Sequence, residues 1–301
     1  MNQPVHMLDA QAALGFVLNQ RTHIESGVLK KPMPEIKYAR LIPVDTSANA
    51  YAKSVTFFSQ DAYGKAKFTN GKANDIPLVN IGMTKFEQGI HDAGIGYSFS
   101  LSEIGAAQQM GQGLSNEGAM AAREAYEQLV DETAFVGNSQ IGVEGLYNTT
   151  GITSAAASKT FATSNAQEIL AVINGELSSI LTETNGTEVA DTVVLPIEQW
   201  ADIATRQISA ESSMTILEFI QKSNVYTART GRPLTIEADH RLSGKMVTYR
   251  RDPAVVKMHM PMPLTFIPPQ AVGLEVVTYG MFRFAPVNIR RPGAMRYKTG
   301  I

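Results

Sequence analysis

The hydrophobic pattern is clearest between residues 114 and 137, LSNEGAMAAREAYEQLVDETAFVG. Small or apolar residues recur there at Leu114, Gly118, Ala121, Ala122, Ala125, Leu129, Thr133 and Val136. Steps of three and four put them on one stripe of an α-helix. Ser115 offers an N-cap hydroxyl, Glu117 sits near the positive end of the helix dipole, and Gly137 suits the position after the last turn. Such a helix spans roughly 35 Å at 1.5 Å per residue. Its alanine-rich stripe suits close packing on a flat sheet. A glycine-punctuated turn follows at once, GVEGLYNTTGI over residues 142–152.

Elsewhere the period changes. Residues 1–35 start weakly amphipathic and turn irregular through Lys31-Pro-Met-Pro34, where two prolines block helix and central strand alike, predicting an extended arm. From Tyr51 the chain alternates, with Lys53, Val55 and Phe57 on one parity. Turn signals at residues 61–64 and Asn70-Gly71, with Lys65 to Thr69 alternating between them, predict a long hairpin over residues 51–78. A hairpin of that length is marginal alone in water and should lie on something. Residues 79–101 read as β-structure. A short helix runs from Ser102-Glu103 to Met110, and Gly111-Gln-Gly113 breaks it before the long one.

Residues 153–165 (TSAAASKTFATSN) read as a linker. An αβ block follows. It has an amphipathic helix through Ile169, Ile173, Leu177 and Ile180, a buried strand at residues 192–195, and a helix opened by Pro196. A third helix is predicted around Leu217 and Ile220, with strands near 234–238, 246–250 and 255–260. The last forty residues are Pro-rich and strand-like. In residues 273–284, Leu274, Val276, Thr278 and Phe282 share one parity, and a final strand brings Arg290, Arg291 and Arg296 together.

Composition narrows the possible functions. The 301 residues allow one large or two ordinary domains. Charged residues make up only 18%, which points to a surface largely covered by partners. A net charge of −2 gives no basic footprint for sequence-specific nucleic-acid binding. With no cysteine, thiol chemistry and cysteine-ligated zinc are excluded. No apolar run is long enough for a membrane span, and Asp9 in the first apolar stretch argues against a signal peptide. The chain is expected to be intracellular or part of a virion.

Catalytic motifs are weak. His6, His23, His91, His240 and His259 form no metal-binding pair. Gly94-Ile-Gly96 is half a dinucleotide fingerprint, with Phe99 where the third glycine belongs. Met258, Met260 and Met262 alternate, as packing methionines do more often than soft-metal ligands. Neither a nucleophile elbow nor a phosphate loop occurs. The C-terminal arginines, with Arg229 and Arg232, suit phosphates or partner carboxylates.

Taken in order, arm, hairpin, β segment, spine-like helix, glycine turn, αβ block and returning β tail resemble the major capsid proteins of tailed bacteriophages. The carrying residues are Gly142-Val-Glu-Gly145-Leu146-Tyr-Asn148 directly after the long helix. Residues 97–103, Asp75-Ile-Pro77 and the block from Arg251-Asp-Pro253 to Pro269 support them, and the resemblance covers about residues 51–301.

It implies an α+β subunit with the Hong Kong 97-type capsid fold. Residues 1–35 would be an N-terminal arm, and residues 36–50 and 79–159 a peripheral domain with its spine helix at 114–137. Residues 51–78 would be an extended loop reaching the next subunit, residues 160–260 an axial domain, and residues 261–301 a β segment returning to the peripheral domain. Subunit contacts would then involve Phe57, Tyr63, Lys65, Lys67 and Lys72 on the hairpin, with Arg229, Arg232, Arg290 and Arg291 elsewhere. Gly142, Gly145, Leu146 and Asn148 would form a structural turn.

Some relatives join a hairpin lysine to a neighbour's asparagine, but no partner or activating carboxylate stands out here. The implied role is a self-assembling shell of pentamers and hexamers around double-stranded DNA, contacted non-specifically. Scaffold, portal and decoration proteins are expected partners; no enzyme activity, cofactor, metal or membrane is implied. The alternatives are an encapsulin-like shell, an αβ enzyme centred on residues 160–260, and a phage tail or decoration component.

Overall fold

In the computed structural model, which describes residues 33–66, 68, 79–110, 114–209 and 211–301, a short helix α1 (Tyr38–Leu41) and strand β1 (Val44–Asp45) lead into an antiparallel ribbon. Its strands β2 (Ser54–Tyr63) and β3 (Asn80–Gly89) pair from Ser54 opposite Gly89 to Tyr63 opposite Asn80. This corrects the expected hairpin over residues 51–78. Residues 61–63, expected to turn, continue β2, and the return strand begins beyond residue 79. The turn signal at Asn70-Gly71 lies outside the described residues. Local turn chemistry loses here to cross-strand pairing, including Phe57 stacked on Phe86 at 5.2 Å between ring centroids.

Strand β4 (His91–Ser100) passes directly into helix α2 (Leu101–Met110) through a capping box. The Ser100 hydroxyl accepts from the Glu103 amide, and the Glu103 carboxylate accepts from the Ser100 amide at 2.8 Å. The long helix α3 (Leu114–Phe135) comes next. Its buried face carries Ala122, Tyr126, Val130, Thr133 and Ala134, whereas Ala121, Leu129 and Val136 are exposed. The stripe is therefore turned by about one residue from the expected one. Tyr126 packs edge-on against Phe282 at 4.7 Å, and large apolar side chains set the buried face. Gly118 remains on it. A Cβ there would stand 2.7 Å from the Tyr97 ring and 2.9 Å from Phe99, so only glycine lets α3 lie this close on β4.

Short strands β5 (Gly137–Asn138) and β6 (Val143–Glu144) follow, then β7 (Thr153–Ala156). The supposed linker thus begins with a strand in parallel register with the C-terminal strand, and its Phe161 is buried. Small polar residues hide such an edge strand, because its partner rather than its own pattern holds it.

The αβ block contains α4 (Ala166–Glu183), β8 (Thr192–Pro196), α5 (Ile197–Thr205), α6 (Ile216–Lys222), α7 (Val225–Thr230) and β9 (Thr235–Asp239). Asn165 and Glu168 form a capping box at the start of α4. Strands β10 (Lys245–Tyr249), β11 (Val256–His259), β12 (Met262–Phe266), β13 (Gln270–Val272), β14 (Glu275–Phe284), β15 (Asn288–Ile289) and β16 (Met295–Thr299) complete the chain. In one sheet, β14 pairs with β4 on one side and with β12 and β13 on the other. A five-stranded sheet runs in the order β7-β16-β10-β8-β9.

This five-stranded sheet separates two cores. Val194, Val247, Tyr249 and Tyr297 face a cluster with α3, Leu146, Met258 and Phe282. Val193, Leu195, Met246 and Ile236 face a second cluster with α4, Ile203 and Ile220. Burial on both faces explains why β8 reads as a continuous apolar run. A charged cluster ties the layers. Asp131 on α3 accepts from the Lys37 and Tyr38 amides at 2.9 and 2.7 Å and pairs with Arg241, which also bonds Asp239. Asp239 in turn accepts from the Tyr147 hydroxyl at 2.8 Å.

Candidate assembly surface

The glycine turn is built onto the end of α3. The Ala134 carbonyl accepts from the Leu146 amide and the Phe135 carbonyl from the Tyr147 amide, both at 2.9 Å. The Val136 carbonyl accepts from the Asn148 side-chain amide at 2.7 Å. Three carbonyls that a helix end leaves open are thereby satisfied by a loop ten residues on. The Asn148 side-chain oxygen closes the loop by accepting from the Gly145 amide at 2.7 Å. Gly145 is required by proximity, since a Cβ would come within 2.4 Å of the Phe135 carbonyl. Gly142 is required by conformation, with φ at +66° and open space around it. Leu146 is fully buried in the first core. Gly145, Leu146 and Asn148 thus meet at the end of α3, and Gly142 lies in the exposed turn that precedes them.

The ribbon presents the opposite case. Its root is pinned: the Gln88 side-chain amide donates to the Pro286 carbonyl at 2.7 Å, and the Asn288 amide donates to Gln88 at 3.1 Å. Arg290 lies over the Phe57 ring at 4.7 Å from its centroid. Between ribbon and residues 287–292 is a hollow of about 460 Å³, floored by Phe57 and Phe86. One face is bare: Phe58, Ile81 and Met83 on it are 60%, 62% and 64% exposed, whereas Phe86 on the other face lines the hollow and is still 46% exposed. Isolated two-stranded ribbons are marginal, and clustered exposed apolar residues mark interaction surfaces. Sequence reading missed Phe58, Ile81, Met83 and Phe86 as surface candidates, although residues 80–89 carried the signal of a matching strand.

Among the described residues no group of acidic or histidine side chains gathers to hold a metal ion, and none of the helices is long and apolar enough to cross a membrane. Among the described residues this leaves a double core carrying a ribbon with one apolar face exposed. The sequence profile of the family described as major capsid protein matches residues 64–301. The chain belongs to that family.

Solved structures agree in fold, the Hong Kong 97-type capsid fold. The capsid of Myoviridae phage XM1 matches with a TM-score of 0.81 at 18% identity, covering 94% of this chain and 98% of that one. Mycobacterium phage Ogopogo gives 0.62 at 11% identity, covering 97% and 99%. A virus-like particle from Pyrococcus furiosus gives 0.55 at 15% identity, covering 86% and 91%. No curated protein matches the sequence.

The other predicted contact residues of this capsid protein scatter. Tyr63 ends β2, Lys65 is exposed beyond it, and Lys67 and Lys72 lie outside the described residues. Arg229 donates to the Gly186 carbonyl at 3.0 Å, Arg232 is exposed nearby, and Arg291 pairs with buried Glu188. Arg229 and Arg291 therefore both reach the 186–188 loop. The expected grouping of Arg290, Arg291 and Arg296 is corrected: Arg296 turns inward to Glu176 at 2.9 Å and to Glu183, and Arg290 goes to the ribbon root. Buried carboxylates drew these side chains apart, because unpaired charges inside a core are costly. Met258 and Met260 are core residues, and Met260 sulfur accepts from the Tyr126 hydroxyl.

Proposed function

We propose that this major capsid protein assembles as pentamers and hexamers into an icosahedral phage head, with the β2–β3 ribbon lying on the neighbouring subunit. The observation that carries this reading is the ribbon: pinned at its root, apolar and exposed on the face of Phe58, Ile81 and Met83, and given no core there by its own chain among the described residues. Heterologous contacts of this kind close into rings when the rotation permits. Residues 1–35 act as an arm. With the ribbon set apart at residues 54–89, residues 36–53 and 90–159 form the peripheral domain, residues 160–260 the axial domain, and residues 261–301 return to the peripheral side. Exposed Leu274, Val272 and Tyr279 supply a second contact face. Double-stranded DNA is the enclosed cargo, met without sequence preference, and scaffold, portal and decoration proteins are partners during assembly in the host cytoplasm.

Buried carboxylates of the αβ block speak for structure rather than acid–base work. Glu176 is held by Arg296 and Lys298, Glu188 by Arg250 and Arg291, and Asp239 by Arg241 and Tyr147. An encapsulin-like shell is the second reading, carried only by the weaker likeness to the Pyrococcus particle. Expression of the full chain, followed by light scattering and negative-stain imaging, tests the proposal: closed shells are expected. A small monomer or dimer under every condition, including co-expression with other proteins of the same phage, overturns it.

A further inference from the structure

At the ribbon root one histidine sits where its protonation has a mechanical consequence. His259 ends β11 and is buried. Its Nε2 faces the Arg290 guanidinium Nη2 at 3.3 Å, and Arg290 in turn covers the Phe57 ring. A guanidinium has donors only, so this contact exists only while Nε2 is an unprotonated acceptor. The ring proton is then on Nδ1, which stands 3.6 Å from the Asp45 carboxylate with no hydrogen-bond partner. The charged groups facing the imidazole are Asp45 from β1, Lys257 from its own strand, and Arg290 from the residue after β15. Asp45 is already engaged by Lys257 and Ser47, which hold its carboxyl well below the usual range, so it stays charged in mild acid.

We propose that His259 and Arg290 form an acid-sensitive latch that holds the root of the ribbon and releases it when His259 is protonated. Protonation turns Nε2 from acceptor to donor, and two cations then face each other across a contact made for one. The imidazolium is drawn toward Asp45, the guanidinium leaves, and the Phe57–Phe86 stack loses its cover. Nothing covalent changes; one proton comes from solvent. Burial, the largest cause, and then the Lys257 charge hold the imidazole below its ordinary pKa, with Asp45 opposing. The folded state therefore binds fewer protons than the unfolded chain just below the ordinary histidine value. Latch stability is complete above that value and is lost as pH falls through the lowered one. This device belongs to the folded subunit and does not rest on the shell reading, so its failure leaves that reading untouched.

Hydrogen–deuterium exchange of the full-length chain, corrected for intrinsic rates, at about pH 7.5 and about pH 5 tests it. Peptides covering residues 54–58 and 85–89 are expected to lose protection roughly tenfold at the lower pH in the wild type. His259→Gln, which keeps a neutral acceptor for Arg290, is expected to hold its protection at both. Arg290→Met is expected to be poorly protected at both, with no pH step. Wild-type protection that ignores pH overturns the latch, as does a full pH step surviving in either variant. If His259→Gln fails to fold, the Arg290→Met comparison still decides.

Discussion

At the residue scale, Gly142 and Gly145 look equivalent in the sequence but answer to different constraints. The pattern Gly-x-x-Gly-Leu-x-Asn was visible as a turn, and its position after the long helix carried the family resemblance. What the pattern hid is that Gly145 is glycine for want of space beside Phe135, and Gly142 for its left-handed backbone. Spatial proximity of chain segments cannot be read from local spacing, whereas turn chemistry can. The two substitutions should therefore separate. Gly142→Ala is expected to cost about 1–2 kcal/mol, the penalty for a side chain in the left-handed region. Gly145→Ala meets main chain, which cannot swing aside, and is expected to cost about 3 kcal/mol or more. Asn148→Ala removes an acceptor for the Gly145 amide and a donor for the Val136 carbonyl, at a cost of about 1–3 kcal/mol. Urea unfolding of the three variants checks the order; equal midpoints for Gly142→Ala and Gly145→Ala would contradict it.

At the element scale, helices were legible and strand partners were not. Period and caps located α3, α4 and the helix opened by Pro196, because helix signals are local. Yet the buried face of α3 had to be corrected by one residue. Alanines at 121 and 125 match helix propensity as well as packing, and only Tyr126 and Val130 show which side is buried. The ribbon was misplaced for a related reason: β2 pairs with a strand whose first residue is seventeen positions beyond Tyr63. Its exposed residues give the element-scale prediction. Replacing Phe58, Ile81 and Met83 together by serine removes no core contact of this subunit, so its thermal midpoint should move by no more than a degree or two. Shell yield in negative-stain images should fall by at least tenfold, the loss of roughly 1.4 kcal/mol per contact site or more. Normal shells from that variant would show that the ribbon's bare face does not meet a neighbour.

At the scale of the whole molecule, one sheet serves two cores, and the charged cluster at Asp131, Arg241 and Asp239 joins what the sheet divides. The sequence showed two blocks and a linker between them; it did not show that β16, the last strand, runs between β7 and β10 and welds the blocks together. Nor did it mark Asp131, a carboxylate near the end of α3 that is fully buried while its neighbour Glu132 is exposed. Long-range ion pairs leave no periodic trace. Arg241 is the residue on which this junction depends, because it balances two buried carboxylates and covers the Phe135 ring. Arg241→Met keeps the apolar stem but leaves both carboxylates without the guanidinium, which should cost about 3–5 kcal/mol. At roughly 2–4 °C per kcal/mol for a chain of this size, the midpoint should drop by about 10 °C. Adding Asp131→Asn should recover part of that loss, since an amide oxygen still accepts from the Lys37 and Tyr38 amides without burying a charge. Calorimetry of the two variants against wild type decides the matter. If Arg241→Met melts like wild type, or Asp131→Asn makes it worse, the two cores are held together by the shared sheet alone.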